Sequence, residues 1–290
     1  MPAKLILLIG ILAVSTAAVL IKQAQAAGAA SLLIAAGRMG LASLVLFPVA
    51  AFVHHHTWRT LSLPMVLRVL LCGVLLALHF AFWISSLAHT SVAVSTVLAT
   101  TTPIWVALAS RFLFQEHLSR GQLLGLAIAL AGSLALGLND LGPAHSTQSV
   151  WGGFLAVASA WMIAAYFLLS QKLRQALPNL AFIGLTFSTA AVVLVLLCLA
   201  QGLSLGIGAI QSEALWAIAL LALVPQLIGH SALNWAIPRL GATVVTVAIL
   251  GEPVGAAILA LLLLHEDITA MSLLAFACIL LGIYLVARKK

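Results

Sequence analysis

Apolar residues run along this chain in long blocks broken by short polar joints, and the length of the blocks sets the first expectation. The runs lie at 4–22, 29–52, 64–88, 91–112, 120–138, 151–171, 180–200, 212–237, 241–264 and 269–287. A helix rises about 1.5 Å per residue, so roughly 20 apolar residues cross a bilayer core of about 30 Å. Every run is near that length, which predicts an all-α integral membrane fold of ten transmembrane helices. The longest joints are 54–63, 139–150 and 201–211, the last carrying Gly202, Gly206 and Gly208 as helix breakers. Joints this short make successive helices antiparallel neighbours.

Basic residues then orient the helices, because Lys and Arg accumulate on the cytoplasmic side of a membrane. Lys4, Arg59, Arg68, Arg111, Arg120, Lys172, Arg174, Arg239, Arg288, Lys289 and Lys290 fall on one side and Lys22 alone on the other, with Arg38 inside a span. Eleven against one places both termini in the cytoplasm. The pattern also repeats internally. A shift of 150 residues brings Lys22 onto Lys172, Thr96 onto Thr246, Pro103 onto Pro253, Glu116 onto Glu266 and Gly132 onto Gly282, with Ser119 meeting Thr269. Five spans per half is an odd number, so the second half enters the membrane upside down. The expected organisation is a first five-helix repeat at 1–138, an extracytoplasmic linker at 139–150 and a second five-helix repeat at 151–290. Inverted repeats are characteristic of secondary transporters, because two related halves can rock about a site between them.

Composition names the solvent. Of 290 residues 64% are hydrophobic and 7% charged, and the mean hydropathy is +1.23. A water-soluble domain keeps roughly a quarter of its residues charged. The net charge of +7 does not indicate nucleic acid, since the charges sit singly at helix ends rather than on one basic face. Cys72, Cys198 and Cys278 lie inside apolar runs and read as packing residues. The first run continues through Leu20 and Ile21 without an A-x-A-like exit, so it reads as a span and not as a cleavable signal.

Two segments, TTPIWVALASRFLFQEHLSRGQLLGLAIALAGSLAL and GEPVGAAILALLLLHEDITAMSLLAFACILLGIYLV, resemble the signature ends of the two repeats in the EamA branch of the drug/metabolite transporter superfamily. The resemblance covers essentially the whole chain. In that family the fourth and ninth helices carry the proline and end at the glutamate. Arg38 matches an Arg often found in the second helix, and Lys22 and Lys172 match basic residues closing the first and sixth. The early Trp-Gly of the family's first helix is replaced by GILAVSTAAV. The resemblance implies ten helices around a central cavity, with the fifth and tenth peripheral, and export or exchange of small metabolites. Its aromatic and neutral amino acid exporters are the subgroup that fits best.

Paired interruptions at matching positions of two inverted halves point to a midplane site. Thr101-Thr102-Pro103 and Gly251-Glu252-Pro253 are such a pair. Glu252 is the acid placed mid-span; an ionised carboxylate there costs at least ~2.5–3.5 kcal/mol on insertion scales. It therefore takes up a coupling proton, meets a substrate ammonium group, or makes a structural hydrogen bond. Arg38 can grip a substrate carboxylate through two hydrogen bonds, or hold carbonyls at a neighbouring helix end. Polar stripes at helical spacing add His79 and Trp83 on the third helix, Thr102 on the fourth, Tyr166 on the sixth, and Gln226, His230 and Asn234 on the eighth. The expected substrate-binding set is His79, Trp83, Thr102, Tyr166, His230, Asn234 and Glu252, with Arg38 as a carboxylate contact; ordinary interhelical hydrogen bonding is the alternative. His54-His55-His56 reads as a solvated loop with no metal site.

These features make the chain a secondary transporter rather than an enzyme, needing no cofactor and no nucleic acid. It exports small amphipathic metabolites across the cell inner (plasma) membrane, neutral or aromatic amino acids foremost, since one acid, one base and several aromatics suit a zwitterion with an apolar side chain. A broad-specificity exporter or passive facilitator is the nearest alternative and an intramembrane enzyme the remote one, for His265-Glu266-Asp267 lacks the second histidine of H-E-x-x-H. The expected partners are the small-molecule substrate and the lipid bilayer, with a homodimer open to it. The absence of G-x-x-x-x-G-K-[ST] leaves a gradient as the driving force.

Overall fold

The computed structural model describes residues 2–90, 92–115, 118–139, 147–206, 210–264 and 270–287. Glu116, Gly208, the 265–269 segment, residues 288–290 and most of the 139–150 linker, all invoked above, lie outside the described residues. The described part is all helical. Its first half contains α1 (Ala3–Val14), α2 (Ala17–Ala26), α3 (Ser31–Val53), α4 (His55–Thr60), α5 (Leu63–His89), α6 (Val92–Ala99), α7 (Thr102–Phe114) and α8 (Arg120–Asn139). The second half contains α9 (Thr147–Ala176), α10 (Asn179–Ala200), α11 (Ser212–Leu221), a π-helical segment (Ala222–His230), α12 (Ser231–Leu240), α13 (Ala242–Ile249), α14 (Glu252–Leu264) and α15 (Ala270–Ala287).

Among the described residues seven helices are long and apolar enough to cross a membrane, and three shorter apolar helices span Arg120–Ala135, Ala242–Ala256 and Leu273–Val286. The outer surface is apolar, with Leu44, Phe52, Phe112 and Trp216 all largely exposed. That is the surface of a multi-pass membrane protein, whose lipid-facing side chains gain nothing by turning inward.

Helix ends run past the apolar runs. The 139–150 linker gives up Thr147 to Val150 to α9, and α2 continues to Ala26. Hydropathy marks the hydrocarbon core, whereas a helix continues until its terminal backbone groups find other partners. At Gly202 (φ 68°) they do so by a left-handed cap, with Leu203 N donating to Cys198 O and Gly202 N to Leu199 O, both at 3.0 Å. The histidine tract also differs from the loop expected of it. His54 ends α3, while His55 and His56 open α4, where His55 Nδ1 donates to Phe52 O at 3.1 Å. A backbone leaving a span at an interface closes its hydrogen bonds locally.

Packing repeats between the halves. α3 packs on α10 and α8 on α15, each pairing one half with the other, and the packing of α5 on α9 is echoed by the π segment and α12 on α1. Glycines allow the closest approaches: a methyl group added at Gly125 would stand 2.7 Å from Gly282 O and 2.8 Å from Leu285 Cβ.

Candidate functional site

Both proline motifs break their helices outright. α6 stops at Ala99 and α7 starts at Thr102; α13 stops at Ile249 and α14 starts at Glu252. Pro103 and Pro253 are thus each the second residue of a new helix, where a missing N–H costs no hydrogen bond. The carbonyls released at the first break are taken up by threonines. Thr100, Thr101 and Thr102 donate through Oγ1 to Val97 O (2.9 Å), Leu98 O (2.7 Å) and Ala99 O (2.8 Å). The first helix breaks as well, between α1 and α2, where Ser15 Oγ and Thr16 Oγ1 donate to Ile11 O and Ala13 O, both at 2.8 Å. Gly255 of α14 packs directly against Ser15, so the break in the first helix and the break in the ninth are in contact.

The broken helices meet at a cavity of about 60 Å³. A water needs roughly 10–15 Å³ on this measure, so the space holds a few waters or one small head group. Arg38, His79, Trp83, Thr102, His230 and Glu252 all line it. No described residue of α8 or α15 does. Val14, Ile163, Phe167 and Leu233 supply apolar walls.

Each polar group is held in a particular way. His79 Nδ1 lies 3.0 Å from Ser159 O. A carbonyl can only accept, so Nδ1 carries the hydrogen and the neutral ring keeps Nε2 as its acceptor. The ring stacks on Trp83 with centroids 6.1 Å apart. Arg38 is fully buried, donating from Nε to Gln226 Oε1 at 2.9 Å and resting its guanidinium 4.1 Å above the centre of the Phe80 ring. Phe80 in turn meets His230 edge-on at 5.2 Å. Glu252 is half-buried and lines the same space.

Tyr166 and Asn234 do not line the cavity. They bond each other, Tyr166 Oη donating to Asn234 Oδ1 at 2.6 Å, while Asn234 Nδ2 donates to His230 O at 2.8 Å. The stripe Gln226, His230, Asn234 does not turn as one to the cavity: Ala222–His230 is π-helical around Pro225 and α12 takes over at Ser231, and Gln226 meets Arg38, His230 lines the cavity and Asn234 meets the Tyr166 hydroxyl. Tyr166→Phe and Asn234→Ala should each destabilise the protein by about 1–3 kcal/mol, since each orphans a buried group. Their double mutant should cost less than the sum, as read by thermal unfolding in detergent; strict additivity would mean the pair contributes nothing.

Sequence reasoning passed over Phe80, Gln226 as the partner of Arg38, Thr96 as a lining residue and the break in the first helix. The Ser15-Thr16 pair, whose hydroxyls can bond back to the preceding turn, was the available signal for the last. Among the described residues no group of three or more His, Cys, Asp or Glu is placed to hold a metal ion.

The profile of the EamA-like transporter family matches residues 1–138 and again 150–288. The chain is 28% identical over 184 residues to the uncharacterized transporter YdfC of Bacillus subtilis, covering 63% of this chain and 58% of that protein. The match thus spans little more than half of that relative. It is 25% identical over 254 residues to the uncharacterized transporter sll1319 of Synechocystis sp., covering 82% of this chain and 74% of that one. A solved crystal structure shares the fold with a TM-score of 0.78 at 20% identity, over 98% of this chain and 96% of the other. Two profile matches in tandem, over helices broken at equivalent places around one cavity, carry the conclusion that the chain belongs to the EamA-like transporter family.

Proposed function

We propose that this protein is a secondary transporter that exports small amphipathic metabolites, neutral or aromatic amino acids foremost, by alternating access about the cavity between its halves. The observation that carries the reading is the pair of helix breaks 150 residues apart, facing one small space that holds both Arg38 and Glu252. Irregular backbone at membrane depth is tolerated where it lines a cavity, and discontinuous helices there are how many carriers bind and release solutes. In this reading the seven long and three shorter apolar helices together make ten spans. They form two inverted five-helix units, 1–138 and 151–290, joined by a linker at 139–150, with both termini in the cytoplasm of a cell whose inner membrane holds the protein. His79, Trp83, Thr102, His230 and Glu252 contact substrate. Tyr166 and Asn234 hold the wall behind His230.

The apolar walls favour one second reading, a broad-specificity exporter or passive facilitator. Purified protein in proteoliposomes separates the two. Counterflow of labelled phenylalanine or leucine against an internal pool, saturable and faster than in protein-free vesicles, is the expected result. Equal flux of unrelated apolar drugs would favour the broad exporter, and non-saturating flux without counterflow would refute the carrier reading.

A further inference from the structure

The wall around Arg38 has more hydrogen-bond donors than partners for them. Arg38 Nε is used by Gln226, but Nη1 and Nη2 are buried with no partner. Neither bonds Glu252, the acid of the same cavity. Trp83 Nε1 and Gln226 Nε2, which can only donate, are also buried and unpartnered, as is the Thr96 hydroxyl. Gln226 thus spends its acceptor on Arg38 and leaves its donor over. With Nε bonded to Gln226 and the Phe80 ring centre 4.1 Å from the guanidinium carbon, Arg38 keeps a buried, unpartnered Nη pair.

An unpartnered Nη pair is the fork that matches the two oxygens of a carboxylate. Resting on the transport reading above, we propose that the cavity is a carboxylate site: Arg38 grips both oxygens of the carried metabolite's carboxylate, and Trp83 and Thr96 complete their hydrogen bonds. The substrate class is therefore a small organic carboxylate with an apolar tail. An ammonium group is accommodated on the Glu252 side and is the secondary contact. An amine brings only donors to the Arg38 wall and leaves its buried donors unmet, so the decarboxylated counterpart of an amino acid binds more weakly than the carboxylate. The space of about 60 Å³ fits the head group, leaving the tail to the apolar walls.

Ligand-induced thermal stabilisation and calorimetric titration of the purified full chain test this without any need for flux. The probes are phenylalanine, 3-phenylpropanoate lacking the ammonium, 2-phenylethylamine lacking the carboxylate, and inorganic phosphate. Both carboxylates should bind more tightly than the amine, with an affinity gap of at least about tenfold. Trp83→Phe and Thr96→Val, which keep every charge, should each weaken carboxylate binding several-fold and leave the ligand-free unfolding temperature within a few degrees. Arg38→Lys, a point charge in place of a fork, should weaken it further; if that variant does not fold, the two neutral variants carry the test. Amine binding as tight as carboxylate binding, or neutral variants that bind unchanged, would overturn the proposal. Phosphate binding as tight as phenylalanine would also overturn it, in favour of an inorganic anion site. Carboxylate binding without any flux in vesicles would refute the transport reading and leave this inference standing. Arg38-independent flux of amines would do the reverse.

Discussion

Gly125→Leu should abolish most of the folded protein, and it should do so without reaching the cavity. A single carbon at this position already meets Gly282 O at 2.7 Å and Leu285 Cβ at 2.8 Å, and the obstacle is partly backbone, which cannot swing aside. The same holds from the other side, where a methyl group at Gly282 would stand 2.6 Å from Ala129 Cβ and 2.7 Å from Ala129 N. Overpacking of a fitted interface costs about 1–3 kcal/mol when side chains can yield. Here α8 and α15 must part along their length, so the loss should lie at or above the top of that range. A methyl group added at Gly132 would stand 2.8 Å from Ala275 O in the same seam, so the contact continues for more than one turn. Size-exclusion yield and unfolding temperature in detergent are the measurements. Whatever fraction folds should retain the parent's substrate preference; an altered preference would place this helix pair in the solute pathway.

Glu252→Gln should remove the pH dependence of transport while preserving the fold. The substitution keeps the size and an oxygen acceptor but cannot exchange a proton. Glu252 begins α14, lines the cavity and is the acid placed among the mid-span groups. If it takes up the coupling proton during each cycle, the wild-type rate should vary by up to about tenfold per pH unit on its steep limb. The variant should run flat at a lower rate. Uptake into proteoliposomes at a series of pH values, with circular dichroism as the control for folding, measures both. A folded variant with an unchanged pH profile would assign Glu252 a structural hydrogen bond and no part in coupling.

The two broken helices were legible before any coordinate, because proline acts on its own backbone and the 150-residue repeat shows it acting twice. The glycine seam leaves a mark in the sequence too: Gly125 and Gly132 stand seven residues apart, on one face of the fifth span, and the 150-residue shift brings Gly132 onto Gly282. The polar stripe on the eighth span misled. Gln226, His230 and Asn234 run at helical spacing, yet the segment passes from π geometry around Pro225 into α12 and each side chain meets a different partner. Whether a proline inside a span yields a break, a kink or a π turn depends on what packs against it. Here Gly229 lies close against Val14 of α1 and accommodates the wider turn.

What the sequence determined by itself is the membrane as solvent, the succession of apolar helices, the tandem repeat and the paired interruptions. Each follows from local chemistry: apolar length against bilayer thickness, the missing proline N–H, and similarity read at a constant offset. What only the tertiary structure decided is which polar side chains share a space. Arg38 finds its acceptor 188 residues away on Gln226, and Tyr166 finds Asn234 68 residues away. Such pairings are chosen by the rotation of each helix about its axis. In lipid that rotation is set by the close packing of neighbours, since the solvent on the outside is as apolar as the core and draws no face outward.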